Sequence, residues 1–142
     1  MSRTRFGLAL IAAFAFAAPG LASAEMVNFK ASLNGASEVP ANKTTGSGDA
    51  LVTLDTTAKK ISYTVTYIGL TGPATAAHIH GPAAAGANAG VLIPFASPAS
   101  PITGSATLTD AQIADLIAGK MYANVHTAEN KGGEIRGQLI KQ

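Results

Sequence analysis

The sequence contains no cysteine and no tryptophan, and only 13% of its residues are charged. The absence of cysteine excludes disulfides, thiolate metal ligands and thiol nucleophiles, so any chemistry must use histidine, carboxylates, tyrosine or the backbone. Aromatic residues make up only 6% of the chain, and no cluster of them marks a protein-binding surface. The apolar run near the N-terminus is shorter than the ~20 residues that a membrane-spanning helix needs.

The N-terminus has the three parts of a secretory signal peptide. Arg3 and Arg5 provide a basic start, an apolar run follows, and Ala22-Ser23-Ala24 fits the small-x-small rule for cleavage. We therefore expect residues 1–24 to be removed and the exported protein, periplasmic or extracellular, to begin at Glu25. The same two arginines account for the excess of ten basic over eight acidic side chains. The mature chain is near neutral, which argues against nucleic acid or a membrane as its partner.

The remaining chain, residues 25–142, is predicted to be one domain built from short strands. In the clearest strand, Ile61, Tyr63, Val65 and Tyr67 alternate with polar residues, which is the period of a half-buried antiparallel strand. Strands are predicted at MVNFKASLN, GDALVTLD, KKISYTVTYIG, AAHIHG, VLIPF, GSATL, MYANVHT and GEIRGQLIK. This pattern predicts an all-β fold, an antiparallel Greek-key β-sandwich or barrel.

One short helix is predicted after the GSATL segment. Thr109 is expected to cap its first turn, with Gln112 closing a capping box. We expect Ile113, Leu116 and Ile117 to form its buried stripe, and Gly119 to end it.

The three histidines form the main candidate site. His78 and His80 are two residues apart on a predicted strand, so their side chains project from the same face and can converge on one ion. His126 lies on another predicted strand, where it shares a face with Tyr122 and Asn124. Each histidine by itself is better explained as an ordinary surface or capping residue. The three together favour a shared metal site if the two strands lie close to each other.

An all-imidazole site suits Cu(II) or Zn(II) and is a poor match for calcium or magnesium. Copper is favoured by the order of affinities, with zinc as the alternative metal. Glu134 and Glu129 are candidate acceptors for the ring N–H groups of metal-bound histidines, although both also fit plain solvated charges. Asn124 and Tyr122 are further candidates for supporting the ligand rings.

Two long segments resemble the CHRD domain, named for its occurrence in chordin. They are AAHIHGPAAAGANAGVLIPF and GSATLTDAQIADLIAGKMYANVHTAENKGGEIRGQL, and the resemblance runs from about Phe29 to Leu139. Its most specific parts include AHIHG, the YxNVHT segment and GGEIRG. The resemblance implies an exported domain, since the family is widespread in exported bacterial proteins.

The histidine pattern also resembles the copper site of copper–zinc superoxide dismutases, which are Greek-key β-sandwiches. That family has an H-x-H on one strand, a V-H on a late strand and a Gly-rich loop leading to an arginine, matched here by His78, His80, His126 and Arg136. The resemblance implies one copper ion, with Arg136 attracting a small anionic oxygen species. A zinc-bridging histidine and the usual disulfide are missing, so dismutase-like activity would use copper alone. On spacing alone, Arg136 fits equally well in a salt bridge with Glu134.

Two functions from different classes are therefore open. The first is an exported mononuclear copper-binding domain that serves copper handling or superoxide-type redox chemistry, so that enzyme activity is undecided. The second is a metal-free extracellular protein-interaction module, as the context of chordin suggests. The first predicts that the three imidazoles converge in the fold, and the second does not require it.

Overall fold

The structure, a computed structural model, describes residues 23–142. The predicted signal peptide, residues 1–24, lies almost entirely outside this range, so its cleavage stays a prediction. Within the described range the chain forms nine strands, one α-helix and one 3₁₀ turn at Gly35–Ser37. The elements are β1 (Met26–Asn34), β2 (Ser47–Asp55), β3 (Lys60–Ile68), β4 (Ala74–His80), β5 (Val91–Pro94), β6 (Ile102–Thr107), α1 (Asp110–Ile117), β7 (Tyr122–Thr127), β8 (Ile135–Gln138) and β9 (Ile140–Lys141).

The strands form a single antiparallel sheet that curls nearly into a barrel. Their order is β5-β4-β7-β8-β1-β2-β3-β6, with β9 paired to β1. The prediction of an all-β antiparallel fold with one short helix is confirmed. Because β4 and β7 are neighbours in the sheet, two segments that are far apart in sequence lie side by side.

Alternation along the strands explains where the core lies. On β1, Val27, Phe29, Ala31 and Leu33 are buried, while the residues between them are exposed. Burial of each large apolar side chain contributes roughly 1.5–3 kcal/mol. Strand β7 departs from this pattern, since five of its six residues are buried. Both faces of the sheet are therefore covered at this strand, one by the apolar core and the other by polar side chains and loops.

The predicted N-terminal cap of the helix is confirmed, but one residue of the predicted buried stripe is exposed. The side chains and backbone of Thr109 and Gln112 form the reciprocal capping box. Leu116 is buried and Ile113 is partly buried, but Ile117 is 46% exposed. The prediction that Ile117 is buried was wrong because this eight-residue helix contacts the core along a narrow stripe, and Ile117 lies about 100° around the helix from Leu116.

The last predicted strand is interrupted. The segment GEIRGQLIK forms two strands, β8 and β9, on either side of Leu139. Leu139 is fully buried, and its backbone N–H donates to the carbonyl oxygen of Met121. The chain then shifts to pair with β1 instead of continuing beside β7.

Among residues 23–142, no helix is both long enough and apolar enough to cross a membrane.

Candidate metal centre

The three histidines lie on one face of the paired strands β4 and β7. In the register of this pair, His80 is opposite Tyr122, His78 is opposite Asn124, and His126 is opposite Ala76. Side chains two residues apart on a strand share a face, so His78 and His80 stand beside His126. The core-facing residues of the two strands, such as Ile79 and Val125, point to the other side and are fully buried. The condition for a shared site, that the two strands lie close to each other, is met.

The imidazoles converge. One ring nitrogen from each of His78, His80 and His126 can be chosen so that all three lie within 4.8 Å of one another. Nδ1 of His78 is 3.1 Å from Nε2 of His126. Since metal–nitrogen bonds are about 2 Å long, two ligand nitrogens on one ion lie no more than about 4 Å apart. Small rotations of the rings would bring this histidine cluster to that spacing.

Backbone carbonyls fix the tautomers of two of the rings. Nδ1 of His80 lies 3.0 Å from the carbonyl oxygen of Ala89, and Nδ1 of His126 lies 2.9 Å from that of Lys131. A carbonyl can only accept, so each Nδ1 carries the proton and each Nε2 of the neutral ring presents a lone pair. Nε2 of His80 is buried and has no hydrogen-bond partner in the described part of the chain, residues 23–142. A metal ion would satisfy this atom, and a hydrogen-bonded second nitrogen is the usual arrangement for a metal-binding histidine.

Burial favours the neutral form of two of the rings, His78 and His80. Burial lowers the pKa of His78 below its usual value, and the charges of His126 and His80 lower it further. Burial also lowers the pKa of His80, against the opposing effect of its hydrogen bond to Ala89. Neutral imidazole is the form that binds metals. His80 is the innermost ring, whereas His78 and His126 are half-buried, so the cluster opens towards solvent on their side.

Tyr122 and Arg136 pack beside the histidine cluster. The rings of Tyr122 and His80 are parallel to within 1°, with centroids 4.9 Å apart. The guanidinium carbon of Arg136 lies 3.4 Å from the centroid of the Tyr122 ring, a cation–π contact. Arg136 is on β8 and His80 is on β4, on opposite sides of β7. The predicted proximity of Tyr122 to the ligand rings is thus observed as a stacking contact.

Arg136 does not pair with Glu134. It is 2% exposed, and its guanidinium donates to the carbonyl oxygen of Ala87 and, over 2.9 Å, to Oδ1 of Asn88. These residues belong to the loop formed by residues 81–90, which also supplies the Ala89 carbonyl to His80. Arg136 therefore holds the loop that orients a candidate ligand. Its predicted role as a guide for anions stays a prediction.

Glu134 supports the site in a different way from the one predicted. Its carboxylate is fully buried and accepts from the hydroxyls of Thr44, Thr71 and Thr127 and from the backbone N–H of Thr71. Burial raises its pKa, but these hydrogen bonds outweigh burial and lower the pKa to about 2. Glu134 thus joins three segments of the chain, and its hydrogen bonds go to threonines instead of to a histidine ring.

Of the other predicted supporting residues, Glu129 and Asn124 have opposite surroundings. Glu129 is exposed on the turn after β7, and within residues 23–142 it has no hydrogen bond to a histidine. Asn124 is 2% exposed, and its Nδ2 donates to Oε1 of Glu38 over 3.0 Å. Sequence reasoning missed Glu38, because an isolated glutamate in a loop gives no sign that it will be buried.

Glu38 is a buried carboxyl group whose charged form is disfavoured. Burial raises its pKa from 4.5 to about 7, although the hydrogen bond from Asn124 and the charge of Arg136 partly oppose the rise. The side chain is only 6% exposed. Its ionisation near neutral pH therefore opposes folding.

The contribution of Glu38 to stability is expected to fall as the pH rises from about 4.5 to about 7, because Glu38 holds its proton more tightly in the folded chain. The lowered pKa values of His78 and His80 act in the opposite direction in part of this range, so the comparison with a Glu38 variant isolates the effect. At about pH 8 the loss amounts to at most about 3 kcal/mol. Chemical denaturation of the wild type and of Glu38→Gln at about pH 5 and about pH 8 measures it. The variant should lack this loss. Identical pH dependence in the two proteins would show that Glu38 is not the cause.

Close packing explains the glycines of the GGEIRG segment. Gly133 has a φ of +133°, which side chains rarely adopt, and a Cβ there would overlap Nδ2 of Asn124 and the carboxylate of Glu38. A Cβ on Gly137 would overlap the backbone carbonyl of Ser32 on β1. Both positions therefore require glycine. Gly133 allows the loop before β8 to pack against Asn124 and Glu38, and Gly137 allows β8 to lie close to β1.

The fold and the site together define a class: an all-β domain with a three-histidine cluster on two neighbouring strands. Within that class the family is clear, because the family model of the CHRD domain matches residues 29–139. The chain belongs to the CHRD domain family. CHRD domains occur in secreted proteins, which agrees with the predicted export. No curated protein and no solved structure matches the chain.

Proposed function

We propose that the mature chain, residues 25–142, is an exported domain that binds one copper ion through His78, His80 and His126. The observation that carries the proposal is the environment of His80. Its Nδ1 is held by the Ala89 carbonyl, its buried Nε2 has no hydrogen-bond partner among residues 23–142, and the ring belongs to the cluster of imidazoles. A buried polar atom without a partner costs about 1–3 kcal/mol. A bound metal ion would remove that cost.

The donor set favours copper, with zinc as the alternative metal. The cluster consists of three imidazoles without a carboxylate, and hard cations such as calcium and magnesium prefer oxygen ligands. Among the metals that accept imidazole, the order of affinities places Cu(II) above Zn(II). Three protein ligands also leave one position open to a small molecule.

The residues around the cluster would orient and shield the ion. Arg136, Tyr122 and the 81–90 loop cover the side of His80, while His78 and His126 are half-buried and accessible. Bound copper would supply one-electron exchange between Cu(II) and Cu(I). Such a site fits copper handling, and it fits superoxide-type chemistry if the charge of Arg136 attracts an anion. Because the Arg136 guanidinium already donates to the loop, it would act on an anion mainly through its charge.

The metal-free interaction module has less support. The large exposed apolar side chains lie on six different elements. They are Met26, Leu51, Ile68, Val91, Ile117 and Ile140. Each exposed apolar residue by itself is normal for a soluble domain.

Metal binding by purified residues 25–142 tests the proposal. Titration with Cu(II) and with Zn(II), followed by dialysis and elemental analysis, is expected to give one tightly bound copper ion per chain and weaker zinc binding. Dismutase activity of the loaded protein is assayed separately, because binding alone does not establish turnover. Copper that is lost entirely on dialysis would refute the proposed function.

A further inference from the structure

We propose that Asn124 determines which small ligand this centre binds. Its Oδ1 accepts a hydrogen bond from a small protic ligand, such as water or a hydroperoxide, in the open position of the bound ion. The inference rests on the proposed function, because the ligand is held where the three imidazoles meet. The inference adds Asn124 to the three histidines as a fourth residue of the site, and it names the chemical class of the ligand.

Two buried atoms point to such a ligand. In residues 23–142, the buried side-chain nitrogen and oxygen atoms without a hydrogen-bond partner are Nε2 of His80 and Oδ1 of Asn124. Both residues project from the same face of the sheet, since Asn124 lies opposite His78 in the pairing of β4 with β7. A ligand on an ion held by Nε2 of His80 would therefore lie on the face of the sheet that carries Oδ1 of Asn124.

Glu38 decides which end of the Asn124 amide faces the centre. Nδ2 of Asn124 donates to Oε1 of Glu38 over 3.0 Å. This orientation is obligatory when Glu38 is ionised, because a carboxylate accepts and does not donate. The amide is thereby fixed with Oδ1 directed away from Glu38. Gly133 makes the arrangement possible, because any side chain at that position would occupy the space of the amide and the carboxylate. The close packing at Gly133 therefore holds the Glu38–Asn124 pair in place.

The orientation has a chemical consequence. An amide oxygen can only accept, so it stabilises a ligand that carries an O–H or N–H group. A ligand without a proton, such as azide, would place its lone pairs against this oxygen and leave it unsatisfied. A buried acceptor that loses its donor is costly. Asn124 should therefore make the centre select water and other protic ligands over proton-free anions, superoxide included. This selectivity favours copper handling over superoxide-type chemistry within the proposed function.

Azide titrations of the copper-loaded protein, followed by absorbance at about pH 8 where Glu38 is ionised, test this inference. In Asn124→Leu the acceptor is gone, and azide should bind roughly fivefold to tenfold more tightly, as expected for one hydrogen bond. Glu38→Leu lets the amide turn and present Nδ2, so azide should again bind more tightly. Glu38→Gln keeps an oxygen acceptor for Nδ2 and should restore the wild-type affinity for azide.

Two results would overturn the inference, and they are distinguishable. If wild-type protein binds no copper, the proposed function fails and the inference fails with it. If copper binds but azide affinity is the same in the wild type, Asn124→Leu and Glu38→Leu, only the role of Asn124 is wrong. Thr75→Ala, an exposed change on β4, serves as the control for copper loading. Glu38→Leu keeps the test decisive if Asn124→Leu does not fold.

Discussion

The His80→Ala variant is expected to bind Cu(II) more than about 100-fold more weakly than the wild-type chain, since even changes to residues that only support metal ligands typically cost 10–100-fold. His80 is the most buried of the three rings, and the Ala89 carbonyl fixes its orientation. His78 and His126 alone would leave a two-ligand site, which holds copper poorly.

Competition with a chelator of known affinity measures this effect. His80→Ala is compared with Thr75→Ala, which lies on the same strand and is exposed, so that a general effect on the strand is separated from the loss of a ligand. Circular dichroism confirms that both variants are folded. His78→Ala and His126→Ala should also weaken binding. Equal copper affinity in His80→Ala and the wild type would remove His80 from the site.

Glu134→Ala is expected to destabilise the fold by at least about 3 kcal/mol, because it removes the acceptor of four hydrogen bonds in a buried place. The three threonine hydroxyls can reorient, but the backbone N–H of Thr71 would remain without a partner. The turn that carries the Lys131 carbonyl would loosen as well, because Thr127, which accepts from the backbone N–H of Asn130, loses its contact with Glu134. Metal affinity should therefore decrease together with stability.

The same carboxylate predicts a loss of stability in acid. Its pKa is lowered from 4.5 to about 2, so the stabilisation is present above about pH 4.5 and is lost as the pH falls towards about 2. Glu134→Gln should lack this acid dependence, because it has no proton to gain. Thermal denaturation across this range, with the exposed Glu129→Ala as the matched control, measures both effects. A loss within about 0.5 kcal/mol for Glu134→Ala, equal to that of a surface change, would contradict the account.

Much of the fold was predictable because the strands of this chain have two unlike faces. In β1 to β3, the alternation of apolar and polar residues predicts both that the segment is a strand and which of its faces is buried. The capping box at Thr109 was equally readable. Ile117 was not, because periodicity identifies the apolar stripe of a helix but not how much of that stripe the neighbouring strands can cover.

The sequence predicts which side chains form the candidate site, but not the backbone contacts that orient them. The spacing of His78 and His80 places both rings on one face, and His126 shares that face once β4 and β7 are adjacent. The pairing of these two strands is a long-range contact that local patterns do not specify. The carbonyls of Ala89 and Lys131 fix the ring tautomers, yet every residue has a carbonyl, so no residue type marks them in advance.

The partners of the buried charged residues Glu134 and Arg136 could not be predicted from the sequence either. The spacing of Glu134 and Arg136 suggested a salt bridge between them, but the two side chains have different partners. Glu134 is surrounded by threonines from three segments, and Arg136 reaches the 81–90 loop. Hydroxyl donors can replace a cation around a buried carboxylate, and loop carbonyls can replace an anion around a guanidinium. Such partners depend on the folded arrangement of the loops.

The central claim is that three imidazoles hold one ion, and pulsed electron paramagnetic resonance of the Cu(II)-loaded protein tests it most directly. With ¹⁵N-labelled histidine in an otherwise unlabelled chain, hyperfine spectra should show three coordinated imidazoles on one copper in the wild type. They should show two or fewer in His80→Ala under copper excess. A wild-type spectrum with fewer than three coordinated imidazoles would contradict the account.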